Sequence, residues 1–570
     1  MNWTKEYKQK KINEFSNEVL DEVLKKIAQA NIEEFKKQNL NNYEIKILLR
    51  WNFYFSINTF TERFLRVKMN KNIYRKKQRN PIELFKSYFK NLTDSTLAFY
   101  NNEELNENLL HNLNYIIWNP SKKNIKINEK KTYNNFKRNS GLSFLKSISK
   151  LYIYKYFYNI EELHEGTDQL NMIFSKKGSF INYPFFENID ISNNSRLKIR
   201  DICEKIFIKK YSKFFYRNKI KLNSVSKLFS YWLDSSIPTS LLESLNDRFI
   251  FYKKIIDILN IKALHASVGF FTNENIKIAS ILLKRRKIKV FGHEHGVNNF
   301  IIPGKNSFMS HYKGLDQFMI PDIFCSWGKG QKSDKWKNIK NFNIRVIDQG
   351  SVYLHQINNL KDTKFAKKIR SSNQNYTYIF YCASQFRKFM TNLEEISTEE
   401  NYKHKVKVCN FLKKILIKKN LRLIYKQFPE SSGNTNDPFF KILKYEIKAG
   451  KIIISNENAI KIMHCSDIIL FDLVSTGFSE AININKPSLV YTNNFEYSRA
   501  SPEGKKINDL FYNAGIFFDN NNSAIRTMSL LIKNSKLFQK NTENLLKIFK
   551  QKISYPANKS IFLKKIKDSY

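Results

Sequence analysis

Apolar residues recur at helical spacing through the first part of the chain. They return every three or four positions from Asn17 to Ala30, and a broader apolar face runs from Ile45 to Val67. Both patterns predict amphipathic helices. Residues 120–140 are rich in Lys and Asn and indicate a solvated loop, after which residues 141–260 return to a weaker, aromatic-rich helical pattern. We therefore expect a helical N-terminal region.

The pattern changes after about residue 260. Short apolar runs now alternate with stretches long enough to form a helix, which is typical of βαβ units and a parallel sheet. The predicted strands are Ile288–Phe291, Ile344–Ile347, Tyr376–Tyr381, Leu421–Tyr425, Ile452–Ile454, Ile468–Phe471 and Ser488–Tyr491. A stretch rich in Asn, Lys and Ser at residues 355–372 marks a domain boundary.

These patterns predict an α/β protein with four regions. A helical N-terminal region covers residues 1–140. A doubly wound, Rossmann-like lobe with helical insertions follows over residues 141–365, and a second Rossmann-like lobe spans residues 366–521. Closing helices complete the chain over residues 522–570.

The composition excludes several classes of protein. The 570 residues are 42% hydrophobic and 15% aromatic, which is too apolar for a disordered chain or a collagen. Lys and Arg outnumber Asp and Glu by 97 to 51, a net charge of +46. A strongly basic surface favours anionic partners such as nucleic acid, anionic lipid or phosphorylated substrates. AT-rich coding DNA would also enrich lysine, so the charge alone does not identify the partner.

Cysteine spacing and apolar runs bear on the cellular compartment. The five cysteines are scattered, and no pair has the spacing of a zinc site or a redox motif. The N-terminus lacks the apolar stretch of a signal peptide. No run approaches the roughly 18 uninterrupted apolar residues of a membrane span. We expect reduced thiols and a cytoplasmic protein, soluble or at most peripheral at the inner face of the plasma membrane.

The sequence Gly-His-Glu-His-Gly follows the predicted strand Ile288–Phe291 and occupies residues 292–296. Ligands of open α/β sheets lie beyond the carboxyl ends of the strands, so this turn is well placed for chemistry. His295 is the expected general base, with Glu294 or His293 orienting it or binding substrate. A metal site is less favoured because no third ligand has convincing spacing. A polar turn with hydrogen-bonded histidines is the structural alternative.

Two further strand ends carry groups that suit a phosphate. Lys426 leaves the predicted strand Leu421–Tyr425 and can reach a phosphate as a point charge. Ser384 and Arg387 follow the predicted strand Tyr376–Tyr381 and can flank the same phosphate pocket. The alternative for Lys426 is a merely solvated side chain, since lysine is abundant in this chain.

The segment after the predicted strand Ile468–Phe471 turns into a helix. Ser475 or Thr476 can serve as the N-cap, and Gly477 permits the close approach of a ligand. The free N–H groups of a helix N-terminus suit a diphosphate. Glu480, four residues after Thr476, lies on the same helical face and can accept hydrogen bonds from ribose hydroxyls. An ordinary capped helix is the alternative.

In this order, the motifs resemble those of GT-B-type transferases. The segments Phe380–Arg387, Lys426–Pro429 and Asp467–Glu480 are similar to the donor-lobe motifs of CDP-glycerol glycerophosphotransferases and capsule-polysaccharide transferases. The turn at His295 and Gly296 resembles their first-lobe motif.

A closer likeness is to the transferases of bacterial surface-carbohydrate loci, which make O-antigen and lipopolysaccharide. Those begin with a tryptophan-bearing helix, as in Leu48–Arg63, and after the His-Gly turn they carry a segment like Asp322–Gly328. They close with a segment like Leu510–Asp519.

The chain departs from the pattern of these relatives at three places. Glu294 stands where Gln is usual, Val297 stands where a second Gly is usual, and Lys426–Pro429 lacks the usual histidine. The first two changes affect the acceptor side, and the third affects the donor contacts.

The resemblance implies two Rossmann-like lobes that face each other across a cleft, with the acceptor on the first lobe and the donor nucleotide on the second. It implies a glycosyltransferase or a related polyol-phosphate transferase that works without a bound metal or other cofactor. The donor would be a nucleotide-sugar or nucleotide-polyol, and the acceptor a carbohydrate or lipid-linked carbohydrate. In this scheme Gly296 lies on the acceptor side, His295 deprotonates the acceptor hydroxyl and Lys426 stabilises the leaving phosphate.

Two other functions stay open from the sequence. A nucleic-acid-binding protein would account for the net charge of +46, but the basic residues are spread along the chain and no DNA- or RNA-binding motif is visible. We therefore expect no specific nucleic-acid partner. A non-catalytic scaffold that keeps the fold is the second alternative.

Overall fold

A computed structural model gives the helices and strands of the protein. It describes residues 6–69, 103–118, 162–174, 179, 193–216, 222–296, 318–328, 344–358, 360, 363–370, 376–384, 386, 398–427, 437–493 and 502–569. The chain divides into two compact units. Unit 1 comprises Met1–Gly166, Ser175–Phe291 and Asp316–Pro321, and unit 2 comprises Thr167–Phe174, Gly292–Leu315 and Asp322–Tyr570.

Helices dominate the N-terminal half of the chain. They are Glu6–Gln29 (α1), Glu33–Lys37 (α2), Asn42–Met69 (α3), Glu103–Trp118 (α4), Asp168–Ile173 (α5), Asn193–Tyr216 (α6), Leu222–Ser236 (α7), Leu245–Leu259 (α8), Gly269–Thr272 (α9) and Glu274–Arg285 (α10), with a 3₁₀ turn at Thr239–Leu241. The predicted helices Asn17–Ala30 and Ile45–Val67 correspond to α1 and α3, and the first of them ends one residue later in the prediction. In α3 the side chains of Phe53, Phe60 and Phe64 are fully buried, and the helix packs against α1, α4 and α7. A helix that is apolar on most sides lies inside a protein.

The first sheet has five strands in the spatial order β1-β2-β3-β4-β5. The strands are Glu162–His164 (β1), Ala263–Ala266 (β2), Lys289–His293 (β3), Ile323–Ser326 (β4) and Arg345–Asp348 (β5). β1 pairs with β2, and β4 with β5, in parallel. The predicted strands at residues 288–291 and 344–347 are confirmed as β3 and β5, with ends that differ by one or two residues.

The second sheet has six strands and lies wholly in unit 2. Its strands are Thr377–Cys382 (β6), Leu421–Lys426 (β7), Ile452–Ile454 (β8), Ile468–Phe471 (β9), Ser488–Tyr491 (β10) and Phe517–Phe518 (β11). The spatial order is β11-β10-β9-β6-β7-β8, and every neighbouring pair is parallel. The five strands predicted for this lobe are confirmed. The order of the strands reverses between β6 and β9, so these two strands form the switch point of the sheet.

Helices precede and connect the strands of this sheet. They are Val352–Ile357 (α11), Thr363–Arg370 (α12), Thr398–Ile415 (α13), Pro438–Ile442 (α14), Lys444–Lys448 (α15), Ala459–Cys465 (α16), Thr476–Asn483 (α17) and Pro502–Asn513 (α18). In the register of the sheet, Cys382 at the end of β6 lies opposite both Lys426 on β7 and Phe471 on β9. The carboxyl ends of the three strands are therefore level.

The C-terminal helices are Asn521–Lys533 (α19), Ser535–Lys552 (α20) and Lys559–Lys567 (α21). Between α20 and α21 the chain crosses the carboxyl ends of β4 and β5, where the Tyr555 N–H donates to the Trp327 carbonyl at 3.0 Å and the Ser351 N–H donates to the Tyr555 carbonyl at 2.8 Å. Gly350 has φ +73°, and a Cβ there would lie 2.5 Å from the Tyr555 ring. This position needs glycine, because the crossing segment lies against its backbone.

The two parallel sheets and the helical N-terminal region confirm the predicted α/β class of GT-B type. The predicted boundaries at residues 140, 365 and 521 stay a prediction, as does the cleft between the lobes. Among the helices that the structure describes, none is both long enough and apolar enough to cross a bilayer.

Candidate functional site

The carboxyl ends of β6 and β9 define the candidate site. In doubly wound sheets, ligands bind in the crevice outside the strand ends at the point where the strand order reverses. The loop after β6 begins with Ala383 and Ser384, and the loop after β9 begins with Asp472 and leads to Ser475. The polar groups of these two loops decide what the crevice can bind.

Asp472 joins the two strand ends. Its Oδ1 accepts the backbone N–H of Ser384 at 2.7 Å, and its Oδ2 accepts the hydroxyl of Tyr381 at 2.7 Å. The Lys405 ammonium, from α13, lies 3.4 Å from Oδ2 and donates to the Ser384 carbonyl at 2.9 Å. Asp472 and Lys405 are each only 1% exposed. The buried pair therefore holds the loop after β6 through both backbone groups of Ser384.

The surroundings of Asp472 favour its ionised form. Burial by itself favours the protonated acid, but Lys405, His404 and the hydrogen bonds outweigh burial, and the pKa of Asp472 lies below its ordinary value. The Nε2 atom of His404 lies 2.8 Å from the Asp472 carbonyl oxygen, and burial lowers the pKa of His404. Since a carbonyl can only accept, the Nε2 atom of His404 carries a proton in this contact.

Helix α17 begins directly after this network. Ser475 occupies the N-cap position in extended backbone but makes no side-chain cap hydrogen bond. Gly477 lies against β9, where an added Cβ would meet the Phe471 ring at 3.0 Å. The first N–H groups of α17 are thus placed beside the crevice without the side-chain acceptor that usually caps a helix.

The turn after β3 meets the first residue of α17. A Cβ built on Gly296 would lie 2.0 Å from the hydroxyl oxygen of Thr476 and 3.1 Å from its Cβ. A Cβ there would force the Thr476 side chain or the turn to shift, so Gly296 lies directly against the Thr476 side chain. Gly296 is buried, whereas the neighbouring His295 is exposed. The structure therefore brings the predicted His-Gly turn and the predicted helix start together.

Glu294 holds this turn to the next strand. Its Oε2 accepts the hydroxyl of Ser326 at 3.0 Å and the backbone N–H of Trp327 at 2.8 Å. Its own N–H donates to the carbonyl of Cys325 at 3.0 Å. These contacts join the ends of β3 and β4, and they suit a residue that positions the turn.

His293 is buried among aromatic side chains. Its ring centroid lies 6.0 Å from that of Phe562 in α21 and 6.3 Å from that of Phe174. A cavity of about 20 Å³ lies beside His293 and Tyr353, which is room for one or two water molecules. His293 lies beneath the turn, and His295 is the histidine of the turn that faces solvent.

Glu480 lies one turn along α17 from Thr476. Its Oε1 accepts the hydroxyl of Tyr353, from α11, at 2.6 Å. Burial raises the pKa of Glu480, and the hydrogen bond from Tyr353 offsets part of that rise. The Tyr353 ring stacks on Trp327, with 6.4 Å between the ring centroids and 28° between the planes.

Lys426 lies at the strand end where the sequence predicted it. Its ammonium donates to the backbone carbonyls of Asn456, at 3.2 Å, and Glu457. Burial lowers the pKa of Lys426. The side chain is therefore engaged by the loop after β8. Arg387, the other predicted cation, lies outside the described residues.

Cys382 shows which charged groups surround the end of β6. Burial raises the pKa of its thiol, the Glu480 and Asp472 carboxylates act in the same direction, and Lys426 and Lys405 act against it. All four charged groups are near enough to influence one thiol. Two predicted residues, Lys426 and Glu480, thus share one neighbourhood with the Asp472–Lys405 pair.

Sequence reasoning missed four residues of this site: His404, Lys405, Asp472 and Tyr353. The sequence did contain a signal for the two residues in α13. His404 and Lys405 each lie four positions before an apolar residue, Val408 and Cys409, so helical spacing places them on the buried face of the helix. Polar side chains at positions expected in the core need a buried partner. Tyr353 carried no comparable signal.

Within the described residues, no group of three or more His, Cys, Asp and Glu side chains is arranged to hold a metal ion. Metal independence stays a prediction.

A family model described as LIC12162 family transferase matches residues 1–530 of the chain. The chain belongs to the LIC12162 family of transferases. No curated protein sequence matches this transferase.

Solved structures give distant likenesses to the transferase. The S. aureus MnaA–UDP co-structure has 12% identity and a TM-score of 0.38, covering 56% of this chain and 77% of the other. A glycosyltransferase from Rickettsia africae has 16% identity and a TM-score of 0.37, covering 57% and 80%. Anabaena Alr3699/HepE in complex with UDP has 11% identity and a TM-score of 0.36, covering 60% and 88%. Likenesses at this level identify neither the substrate nor the reaction of the transferase.

Replacing Gly296 by alanine is expected to destabilise the transferase by about 1–3 kcal/mol, the usual cost of overpacking a tight contact. The added Cβ would meet the Thr476 hydroxyl at 2.0 Å and its Cβ at 3.1 Å, so the Thr476 side chain or the turn must shift. Urea unfolding measures the free energy. Thr476→Ala in the Gly296→Ala background should restore part of the loss, because it removes the nearest atom. An unchanged free energy of unfolding in Gly296→Ala would show that the turn does not lie against α17.

Asp472→Asn is expected to lower the free energy of unfolding by about 3–5 kcal/mol at pH 7, because it leaves the buried Lys405 ammonium without its counter-charge. Lys405→Met added to Asp472→Asn should recover part of the loss.

The same carboxylate makes the stability depend on pH, because the folded-state pKa of Asp472 is below its unfolded value. The carboxylate's contribution is therefore present above about pH 4 and is lost as the pH falls through the folded pKa. Urea unfolding from pH 7 to pH 3 tests both points. A pH-independent difference between wild type and Asp472→Asn would contradict this account.

Proposed function

We propose that this transferase is a glycosyltransferase or related polyol-phosphate transferase that uses a nucleotide-activated donor to build bacterial cell-surface polysaccharide. One observation carries the proposal: the turn at His295 and Gly296 lies directly against Thr476, at the start of the helix beside the switch point. A proton acceptor and a phosphate-binding helix end are then within reach of one substrate pair. Membership of a transferase family favours this function over nucleic-acid binding. The motif resemblance supports the role in polysaccharide synthesis.

The donor diphosphate would bind at the N-terminus of α17. The backbone N–H groups of Thr476 and Gly477 begin the helix, and the Ser475 side chain does not cap them. The hydroxyls of Ser475 and Thr476 add further donors. A helix N-terminus stabilises negative charge through its free amides and its dipole. Such preorganised donors act most strongly on the charge that develops on the leaving group, where one contact is worth about 3 kcal/mol.

Glu480 would accept a ribose hydroxyl of the donor, because its carboxylate lies one helical turn from the diphosphate position. Lys426 would add positive charge to the phosphate pocket from the neighbouring strand end. Its ammonium is held by the carbonyls of Asn456 and Glu457, so it would act as a nearby charge or exchange one of these bonds for a phosphate oxygen. Ser384, fixed by Asp472 and Lys405, borders the same pocket. No metal or cofactor other than the donor enters the proposal.

His295 would serve as the general base. As the acceptor hydroxyl oxygen bonds to the reacting carbon or phosphorus of the donor, the bond to the leaving phosphate oxygen breaks and the nucleotide takes that electron pair. The acceptor proton passes to His295. Glu294 and His293 would hold the turn for this step, since both are buried and tied to neighbouring elements.

The acceptor would be a carbohydrate or a lipid-linked carbohydrate at the inner face of the plasma membrane. The net charge of +46 supports this location, because each well-placed Lys or Arg contributes about 1 kcal/mol of attraction to an anionic leaflet. The acceptor side of the site would include Gly296, whose lack of a side chain keeps the turn close to α17.

The donor proposal predicts that nucleotides stabilise the protein against heat. A nucleoside diphosphate at 100 times its Kd adds about 2.7 kcal/mol to the free energy of unfolding, which a thermal-shift screen over uridine, cytidine, guanosine, adenosine and thymidine mono- and diphosphates would detect. Inorganic pyrophosphate is the control for a general anion effect. The proposed function fails if no nucleotide stabilises the protein more than pyrophosphate does.

His295→Ala is expected to lower kcat by about 10²–10⁴, the usual contribution of a general base, and to leave nucleotide affinity unchanged. Release of the nucleotide from the donor type found in the screen provides the assay. His355→Ala is the matched control, because His355 is exposed on α11. A loss of less than tenfold in His295→Ala would remove it as the base.

A further inference from the structure

Tyr353 is fixed in place by its surroundings on three sides. Its ring stacks on Trp327, and its hydroxyl donates to Glu480 Oε1 at 2.6 Å. Its helix α11 begins at Ser351, whose hydroxyl accepts the Leu354 N–H at 3.2 Å as an N-cap. The segment around Tyr555 then holds the backbone of Ser351 from outside. Tyr353 is therefore held through its ring, its hydroxyl and the start of its helix.

The Glu480 carboxylate has little other support. Its side chain is half-buried on α17, and in the described part of the chain the hydroxyl of Tyr353 donates to one oxygen of the carboxylate. A glutamate side chain has three rotatable bonds and loses much rotamer freedom when it is held. The hydrogen bond from a rigid tyrosine removes that freedom before any ligand arrives.

We infer that Tyr353 is a positioning residue for the donor: it orients the Glu480 carboxylate so that its second oxygen, Oε2, meets a ribose hydroxyl. The inference rests on the proposed function, and it adds a residue of α11 to the recognition of ribose. It commits the donor site to a ribonucleotide rather than a deoxyribonucleotide, because a preoriented carboxylate is left without its partner when the hydroxyl is missing.

Tyr353→Phe tests the inference, since it removes the hydroxyl and keeps the ring that stacks on Trp327. Calorimetric titration would compare the nucleoside diphosphate that binds best with its 2′-deoxy and 3′-deoxy forms. We expect the wild-type protein to prefer the ribose form at least tenfold over one deoxy form. We expect the preference to fall below threefold in Tyr353→Phe, with the affinity for that deoxy form changed less than twofold.

The affinity for the deoxy form also shows whether the phosphate site of Tyr353→Phe is intact, so a general loss of folding would be visible. Glu480→Gln and the double variant complete a cycle. The double variant should lose no more preference than Glu480→Gln alone, because Tyr353 acts through Glu480.

Three outcomes are distinguishable from the expected one. If Tyr353→Phe keeps the wild-type preference, or binds the ribose form more tightly, Tyr353 does not position Glu480 and the inference is overturned. If the wild-type protein binds nucleotides without a ribose preference, the inference is overturned while the donor proposal stands. If it binds no nucleotide, the proposed function itself is overturned.

Discussion

The buried ion pair between Asp472 and Lys405 is the interaction on which the site depends. The strands β6 and β9 pair up to Cys382 and Phe471, and the sheet ladder joins the chain no further. Asp472 supplies the connection beyond them with both carboxylate oxygens. A buried carboxylate is costly without a cation, and Lys405 provides the cation while also holding the carbonyl of Ser384. One pair of charges thereby fixes the crevice, the loop after β6 and the position of α13.

The second constraint on the site is steric. An added Cβ on Gly296 would overlap the Thr476 side chain, so the turn after β3 packs against the first residue of α17. Glu294 prevents the turn from relaxing away, because it is tied to the end of β4. The electrostatic constraint thus shapes the phosphate side of the site, and the steric constraint fixes the distance from that side to His295.

The strands of the second sheet were predictable because they are short, mostly apolar runs. β9 and β10 are buried at every position, whereas Ile454 of the edge strand β8 is exposed. Ile452–Ile454, Ile468–Phe471 and Ser488–Tyr491 have the predicted ends, as continuous apolar runs should in a parallel sheet. β1 and β2 were missed because each is short and carries a histidine, His164 or His265, on a fully buried position. Such a strand has neither the apolar run nor the alternation on which a prediction from sequence rests.

The sequence predicted which residues lie near the carboxyl edge of the sheet, but it did not predict which groups their side chains contact. Lys426 lies at the end of β7 and Glu480 lies in α17, and both are near enough to influence the Cys382 thiol. The partners of these side chains come from elsewhere in the chain: the ammonium of Lys426 is held by the loop after β8, and the carboxylate of Glu480 by Tyr353, 127 positions away. Nothing in the local sequence of α17 encodes that tyrosine.

The groups that bind phosphate in the proposal are largely backbone amides, which every residue except proline has. Their function depends on the missing side-chain cap at Ser475, and only the three-dimensional structure shows that a serine in the N-cap position does not act as a cap.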